Sequence, residues 1–219
     1  MNSLNASDKP LIAVLDYGIG NLRSAQKGLQ FVGADARLTS DLKLIADADA
    51  VVLPGVGNFG ACMTALREAG LEAAVHDAIA TTRPFLGICV GMQMLFESSE
   101  ESPGVSGLGV VAGEIRWLPA DVQKPQMQWN QLKIAKQDEM FGGISENPWM
   151  YFVHSLSAAP QQQSVVVANC NYGKDLVAAI RSENIFATQF HPEKSATEGL
   201  KILENFVATC GAERHSAKV

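Results

Sequence analysis

Residues 84–97 read PFLGICVGMQMLFE, an apolar run that changes at Cys89 into a helix-like pattern. Phe85, Leu86 and Ile88 suit a buried strand, and the stretch from Gly91 suits the opening of a helix. Cys89 stands at the join, between Gly87 and Gly91, in the form G-x-nucleophile-x-G. In that arrangement the nucleophile sits on a sharp strand-to-helix turn. The turn strains the backbone, and neighbouring chain can approach closely only if the flanking residues are small. The thiol is then held over the strand ends, where an α/β sheet places its ligand crevice. The start of the helix favours thiolate over thiol, and the Val90 N–H is placed to donate to an oxyanion. The same five residues also fit a tight turn around a buried packing cysteine.

Working outward, LIAVLDYG (11–18) reads as a strand and turn, NLRSAQKGLQFVG (21–33) as a helix closed by Gly33, and ADARL (34–38) as a second strand. DAVVLPGVGNFG (49–60) repeats strand and glycine-rich turn. Residues 61–81 are helical in pattern, with a break at Gly70. Alternating strands and helices with near-continuous apolar strands predict a mainly parallel sheet flanked by helices. After about Ser102 the pattern becomes short strands and turns, an added and partly antiparallel β region that includes WMYFVHSLS (149–157). SATEGLKILENFVATCG (195–211) reads as a final helix stopped by Gly211. No linker or repeat divides the chain. We expect a loose extension over 1–10, one domain over 11–211 and a loose tail over 212–219.

The 219 residues carry a net charge of −6, with 47% hydrophobic and 18% charged residues. This balance suits a globular enzyme and argues against nucleic-acid or membrane-surface partners. A chain of this length buries about 70% of its unfolded surface and needs no disulfide or metal staple. The four cysteines (Cys62, Cys89, Cys170, Cys210) form no CxxC pair and no Cys/His ligand cluster, so no zinc site is expected. The opening MNSLNASDKP lacks an apolar signal core, and no stretch approaches the roughly 20 apolar residues of a membrane span. A cytoplasmic, reducing location follows as the expectation.

Two further stretches bear on chemistry. In ATQFHPEKS (187–195), His191 and Glu193 lie two apart, so in extended chain they point the same way. His191 can take a thiol proton while Glu193 orients the ring, the logic of a nucleophile–base–orienter triad. A solvated surface turn is the alternative. LPGVG (53–57) offers exposed N–H groups but lacks the lysine and spacing of a nucleotide loop. A backbone amide at Val56 paired with that of Val90 makes an oxyanion hole. Of the other histidines, His154 is a rival base at a strand end, His76 falls on a solvated helix face, and His215 lies in the polar tail.

Taken in order, LPGVG, PFLGICVGMQ and FHPEKS resemble the signature of class I glutamine amidotransferases, glutaminases with a Cys-His-Glu triad. DYGIGNLRSA, LPGVGNFGACM, WMYFVHSLS and ATQFHPEKS narrow the resemblance to glutaminase subunits that serve a (β/α)8-barrel cyclase in histidine biosynthesis, over about 11–209. The resemblance implies a flavodoxin-like fold, L-glutamine as substrate and no cofactor or metal. It implies Cys89, His191 and Glu193 as catalytic residues, and Gly55, Gly57, Gln93, Glu101, Ser155 and Leu156 as glutamine contacts. Trp129, Tyr151 and Lys194 match positions facing the barrel, to which ammonia passes to make imidazole glycerol phosphate and an aminoimidazole carboxamide ribotide. The family's P-H-M-G-W-N stretch here reads PQMQWN, with Gln126 and Gln128 in place of His and Gly. Other readings are a glutaminase feeding a different synthase, a cysteine peptidase or γ-glutamyl hydrolase, and a non-catalytic scaffold.

Overall fold

A computed structural model describes residues 9–216, with side chains through residue 210. The expected loose extension falls mostly outside the described residues, as do 217–219.

Five parallel strands form the first half of a nine-stranded sheet. They are β1 (Leu11–Leu15), β2 (Asp35–Thr39), β3 (Ala50–Gly55), β4 (Phe85–Cys89) and, from the far end of the chain, β12 (Ile185–Thr188). Their order is β2-β1-β3-β4-β12. Every residue of β3, β4 and β12 is buried, as a sheet covered on both faces requires. The intervening helices are α1 (Leu22–Phe31), α2 (Leu42–Asp47), α3 (Phe59–Glu68) and α4 (Glu72–Ala80). The break between α3 and α4 falls at Gly70, whose φ of +69° suits glycine.

The sheet continues antiparallel through β11 (Lys174–Ser182), β10 (Val166–Tyr172), β7 (Gln126–Ile134) and β8 (Trp149–His154). A separate three-stranded sheet holds β5 (Phe96–Ser99), β6 (Val111–Trp117) and β9 (Leu156–Pro160). The mainly parallel, helix-flanked core with an antiparallel addition is the predicted fold class.

Three local expectations are corrected. The helix opening at Gly91 is a single turn, α5 (Val90–Met94), followed at once by β5. Carbonyls that would continue it are taken from outside: Leu108 N–H bonds Met94 O at 2.8 Å, and Val110 N–H bonds Leu95 O at 2.9 Å. WMYFVHSLS is two strands. It breaks at Ser155, whose carbonyl accepts from Leu118 N–H at 3.0 Å, and the halves join different sheets. The last helix, α6 (Ala196–Ser216), runs past Gly211. A glycine inside a helix costs only about 1 kcal/mol, which neighbouring turns can offset. All four cysteines are buried, and no described helix is long and apolar enough to cross a membrane.

Candidate active site

β4 lies between β3 and β12, with Gly55 opposite Cys89 on one side and Thr188 opposite Ile88 on the other. The thiol therefore emerges at the centre of the sheet's carboxyl edge. Cys89 has φ +56° and ψ −113°, a conformation unusual for a residue with a side chain. Glycine is required beside it by close approach. A β-carbon on Gly91 would lie 1.9 Å from Leu53 O, and one on Gly55 would lie 2.7 Å from Gly91 N.

Beside the thiol is a cavity of about 220 Å³, lined by Val56, Gly57, Cys89, Val90, Gln93, Glu101, Pro125, Val153, His154, Ser155, Leu156 and His191. Gly55 stands behind it on β3, and Glu193 stands behind His191. The Glu193 carboxylate accepts from His191 Nδ1 at 2.8 Å, and both side chains are 2% exposed. Proline and a short 3-10 turn (Pro192–Lys194) fold Glu193 back onto the ring. The loop is sewn to β8: His191 N–H bonds Tyr151 O at 3.0 Å, Ser195 Oγ donates to His191 O at 2.6 Å, and Tyr151 N–H donates to Ser195 Oγ at 3.0 Å.

Burial opposes charge on His191, but its interactions with Cys89 and Glu193 outweigh that cost and push it up to about 10. Nε2 is buried and makes no hydrogen bond.

The glycine-rich turn 54–57 is anchored on both sides. Tyr17 Oη donates to Pro54 O at 2.5 Å, and the Cys62 thiol donates to Val56 O at 3.3 Å. Burial raises both groups, Cys62 to about 11, so both are neutral donors. Glu101 Oε2 accepts from Phe59 N–H at 2.7 Å, which joins the cavity rim to the start of α3.

His154, the rival base, is occupied. Burial lowers it to about 4, so it is neutral and carries one ring proton. Its Nδ1 lies 2.7 Å from Leu156 O, which can only accept, so the proton is on Nδ1. Gln126 Oε1 is placed 3.0 Å from Nε2; because Nε2 must then accept, the Gln126 amide is assigned the flipped orientation, with its nitrogen toward the ring. That orientation also gives the otherwise unpartnered Gln126 nitrogen an acceptor. Gln126 is thus interior, while Gln128 is exposed on β7.

Trp129, Tyr151 and Lys194 do not line the cavity; Tyr151 adjoins both of the others. The Trp129 and Tyr151 rings are 6.2 Å apart, and Lys194 Nζ is 6.0 Å from the Tyr151 centroid. His76 is exposed on α4, away from this site. Sequence reasoning passed over Tyr17, Cys62, Gln189 and Ser195.

A profile described as "Glutamine amidotransferase class-I" matches residues 14–210. Two solved structures share the fold: one titled as a glutamine amidotransferase (TM-score 0.72, 22% identity, 91% of this chain and 98% of that one), and PurLQS from Thermotoga maritima (TM-score 0.70, 19% identity, 94% and 99%). Among curated relatives, "Imidazole glycerol phosphate synthase subunit HisH" of Geobacter metallireducens is 46% identical over 202 residues, 89% of this chain and 96% of its own. The HisH subunit of Methanothermobacter thermautotrophicus is 48% identical over 197 residues, covering 90% and 98%. The chain belongs to the class-I glutamine amidotransferase family and is a glutaminase subunit. Within that family it groups with the HisH subunits of imidazole glycerol phosphate synthase.

Proposed function

We propose that the chain hydrolyses L-glutamine to glutamate and ammonia in the cavity beside Cys89, and that the ammonia passes to a (β/α)8-barrel cyclase subunit. There it is used to make imidazole glycerol phosphate and aminoimidazole carboxamide ribotide in the cytoplasm. The observation that carries this reading is the buried His191–Glu193 pair, 2.8 Å apart, with His191 on the same cavity wall as the Cys89 thiol.

In this mechanism His191 Nε2 takes the thiol proton and sulfur attacks the side-chain amide carbon. The oxygen's developing charge is met by the Val56 and Val90 N–H groups. His191 returns its proton to the nitrogen, the C–N bond breaks and ammonia leaves. Water then adds to the thioester, giving its proton to His191. The C–S bond breaks, glutamate departs and the proton returns to sulfur. Glu193 holds the ring's tautomer and steadies its charge throughout. Gln93, Glu101, and the Ser155 and Leu156 backbone hold the amino-acid end. Trp129, Tyr151 and Lys194 face the barrel, and Tyr151 is bonded directly to the His191 backbone. Docking there therefore bears on the base.

The test is Cys89→Ala in the reconstituted complex. Glutamine-dependent synthesis should disappear while synthesis from added ammonia survives. Retained glutamine-dependent turnover would sink the mechanism, and failure of a barrel cyclase to associate would sink the assignment of partner.

A further inference from the structure

Gln189 is fully buried at the end of β12. Because Thr188 pairs with Ile88 in parallel register, the next residues, Gln189 and Cys89, leave adjacent strands side by side. Gln189 Nε2 donates to Cys89 Sγ at 3.7 Å, and Gln189 Oε1 accepts from Gln93 Nε2 at 3.0 Å. Gln93 Nε2 also faces Leu156 O at 3.5 Å.

The chemistry of the partners fixes both amides. Leu156 O only accepts, so Gln93 must show it nitrogen. Gln189 must then show Gln93 its oxygen, which leaves its NH2 group for the sulfur. Both N–H bonds of the Gln93 amide are thereby directed at acceptors, and its carbonyl oxygen is left for the cavity. An unpaired buried amide would be costly, and an apolar side chain would fill the space more cheaply. The polar residue is held here by what it contacts at each end.

We propose that Gln189 is a catalytic hydrogen-bond donor to the Cys89 sulfur, and that the same amide aims Gln93 at the substrate. The proposal rests on the glutaminase reading above. When Cys89 gives its proton to His191, negative charge appears on the sulfur of a residue only 3% exposed. Gln189 supplies an N–H aimed at the sulfur before that charge develops. It does so again when the C–S bond of the second tetrahedral adduct breaks and the electron pair returns to sulfur. The titratable groups acting electrostatically with Cys89 are His191 from the segment after β12, Tyr17 after β1 and Cys62 on α3. Gln189 is the amide whose N–H is already directed at the sulfur, at 3.7 Å.

The experiment is alkylation of Cys89 by iodoacetamide in the full chain, followed on the Cys89 peptide by mass spectrometry from neutral to alkaline pH, with Cys89→Ala as blank. Gln189→Leu and Gln189→Glu should each slow alkylation at neutral pH about tenfold, as expected for losing one hydrogen bond to a charged group. The rise in rate should move to higher pH. In the complex, the glutamine KM should rise for Gln189→Leu and hold for Gln189→Glu, whose carboxylate still accepts from Gln93. Wild-type alkylation profiles in both folded variants would overturn the proposal. If the variants do not fold, the unsubstituted protein decides. The Gln189 side-chain amide resonances should shift when Cys89 is alkylated, and their failure to move would overturn it. Alkylation needs no glutamine. A chain that alkylates normally yet releases no ammonia from glutamine with its partner counts against the glutaminase reading and not against the sulfur contact.

Discussion

The Leu53 carbonyl oxygen occupies the space that a side chain on Gly91 would need: a β-carbon there would sit 1.9 Å from it. The obstruction is backbone in the middle of β3, so no rotamer relieves it. Gly91→Ala must push the elbow off the sheet and carry Cys89 with it. Overpacking of this kind costs about 1–3 kcal/mol, roughly a 3–10 °C fall in Tm for a chain of this size. Glutaminase activity should fall by about 100-fold, because displacing a reacting group by about 1 Å has that effect. Gly57→Ala is the comparison. Nothing lies within 4 Å of its β-carbon and only its φ of +87° is strained, so a loss of about 1–2 kcal/mol is expected. Thermal melts of both variants check this, and a Gly91→Ala protein as stable and active as its parent would refute it.

Glu193→Gln isolates the orienting carboxylate. His191 sits above its ordinary 6.5, at about 10, with burial opposing and Cys89 and Glu193 favouring the charge. The stability tied to that proton is fully present below about pH 6.5 and is lost as pH rises through about 10. Removing the carboxylate lowers the folded value, so the alkaline loss of stability should still begin near pH 6.5 but finish at lower pH and be smaller. Glutaminase kcat should drop by roughly 10⁴, the scale seen when an orienting carboxylate becomes an amide. Melts taken from neutral to strongly alkaline pH give the first readout and steady-state kinetics the second.

Both residues just discussed were legible in the sequence for physical reasons. Gly87 and Gly91 around Cys89 encode a close approach that only glycine permits, and His191 and Glu193 share one side of an extended chain. Gln189 belongs to the same alternation, two residues before His191. That period was the available signal, and a lone glutamine in an apolar strand did not draw it out. The one-turn length of α5 was not legible. The N–H groups that take its carbonyls come from Leu108 and Val110, beyond any local window. Nor could pattern alone show that Ser155 parts two sheets, since both sides of it alternate as strands do.

His154 gives the opposite sign from His191. Burial lowers it from 6.5 to about 4. Stability held by the neutral ring is present above about pH 6.5 and is lost as pH falls through about 4, by roughly 3 kcal/mol. Urea unfolding at neutral and mildly acidic pH should show this slope in the parent and lack it in His154→Asn. That variant should also be weaker at neutral pH, because Leu156 O and Gln126 lose their partner. A parent and variant with equal acid slopes would contradict the buried, neutral assignment.

Glu101 has two separable duties. One oxygen accepts from Phe59 N–H at 2.7 Å, and the side chain also lines the cavity, where its charge suits an α-amino group. Glu101→Gln keeps an oxygen for Phe59 and removes the charge. Its KM for glutamine should rise about tenfold or more, the weight of one hydrogen bond to a charged group, with Tm nearly unchanged. Glu101→Ala should lose both affinity and stability. Unchanged KM in Glu101→Gln would leave the residue as a helix anchor alone.

The anchors of the glycine-rich turn set the last expectation. Tyr17 holds Pro54 O at 2.5 Å and Cys62 holds Val56 O at 3.3 Å, so the peptide between Gly55 and Val56 is bracketed by two fixed carbonyls. That peptide carries the Val56 N–H, and an oxyanion donor works only if it is aimed before charge develops. Glycine lets the bracketed peptide turn at low steric cost. We therefore expect partner binding to act on a turn whose flanks stay in place. Tyr17→Phe combined with Cys62→Ala releases both flanks. Partner-stimulated kcat should fall about tenfold, a fraction of the 10²–10³ lost with a whole donor, while KM for glutamine changes little, because neither anchor touches the amino-acid end. The unstimulated rate should fall less, since a turn not yet aimed has less to lose. Stimulated kcat equal to that of the parent, measured in the reconstituted complex with the partner subunit saturating, would show that the turn is aimed without its anchors.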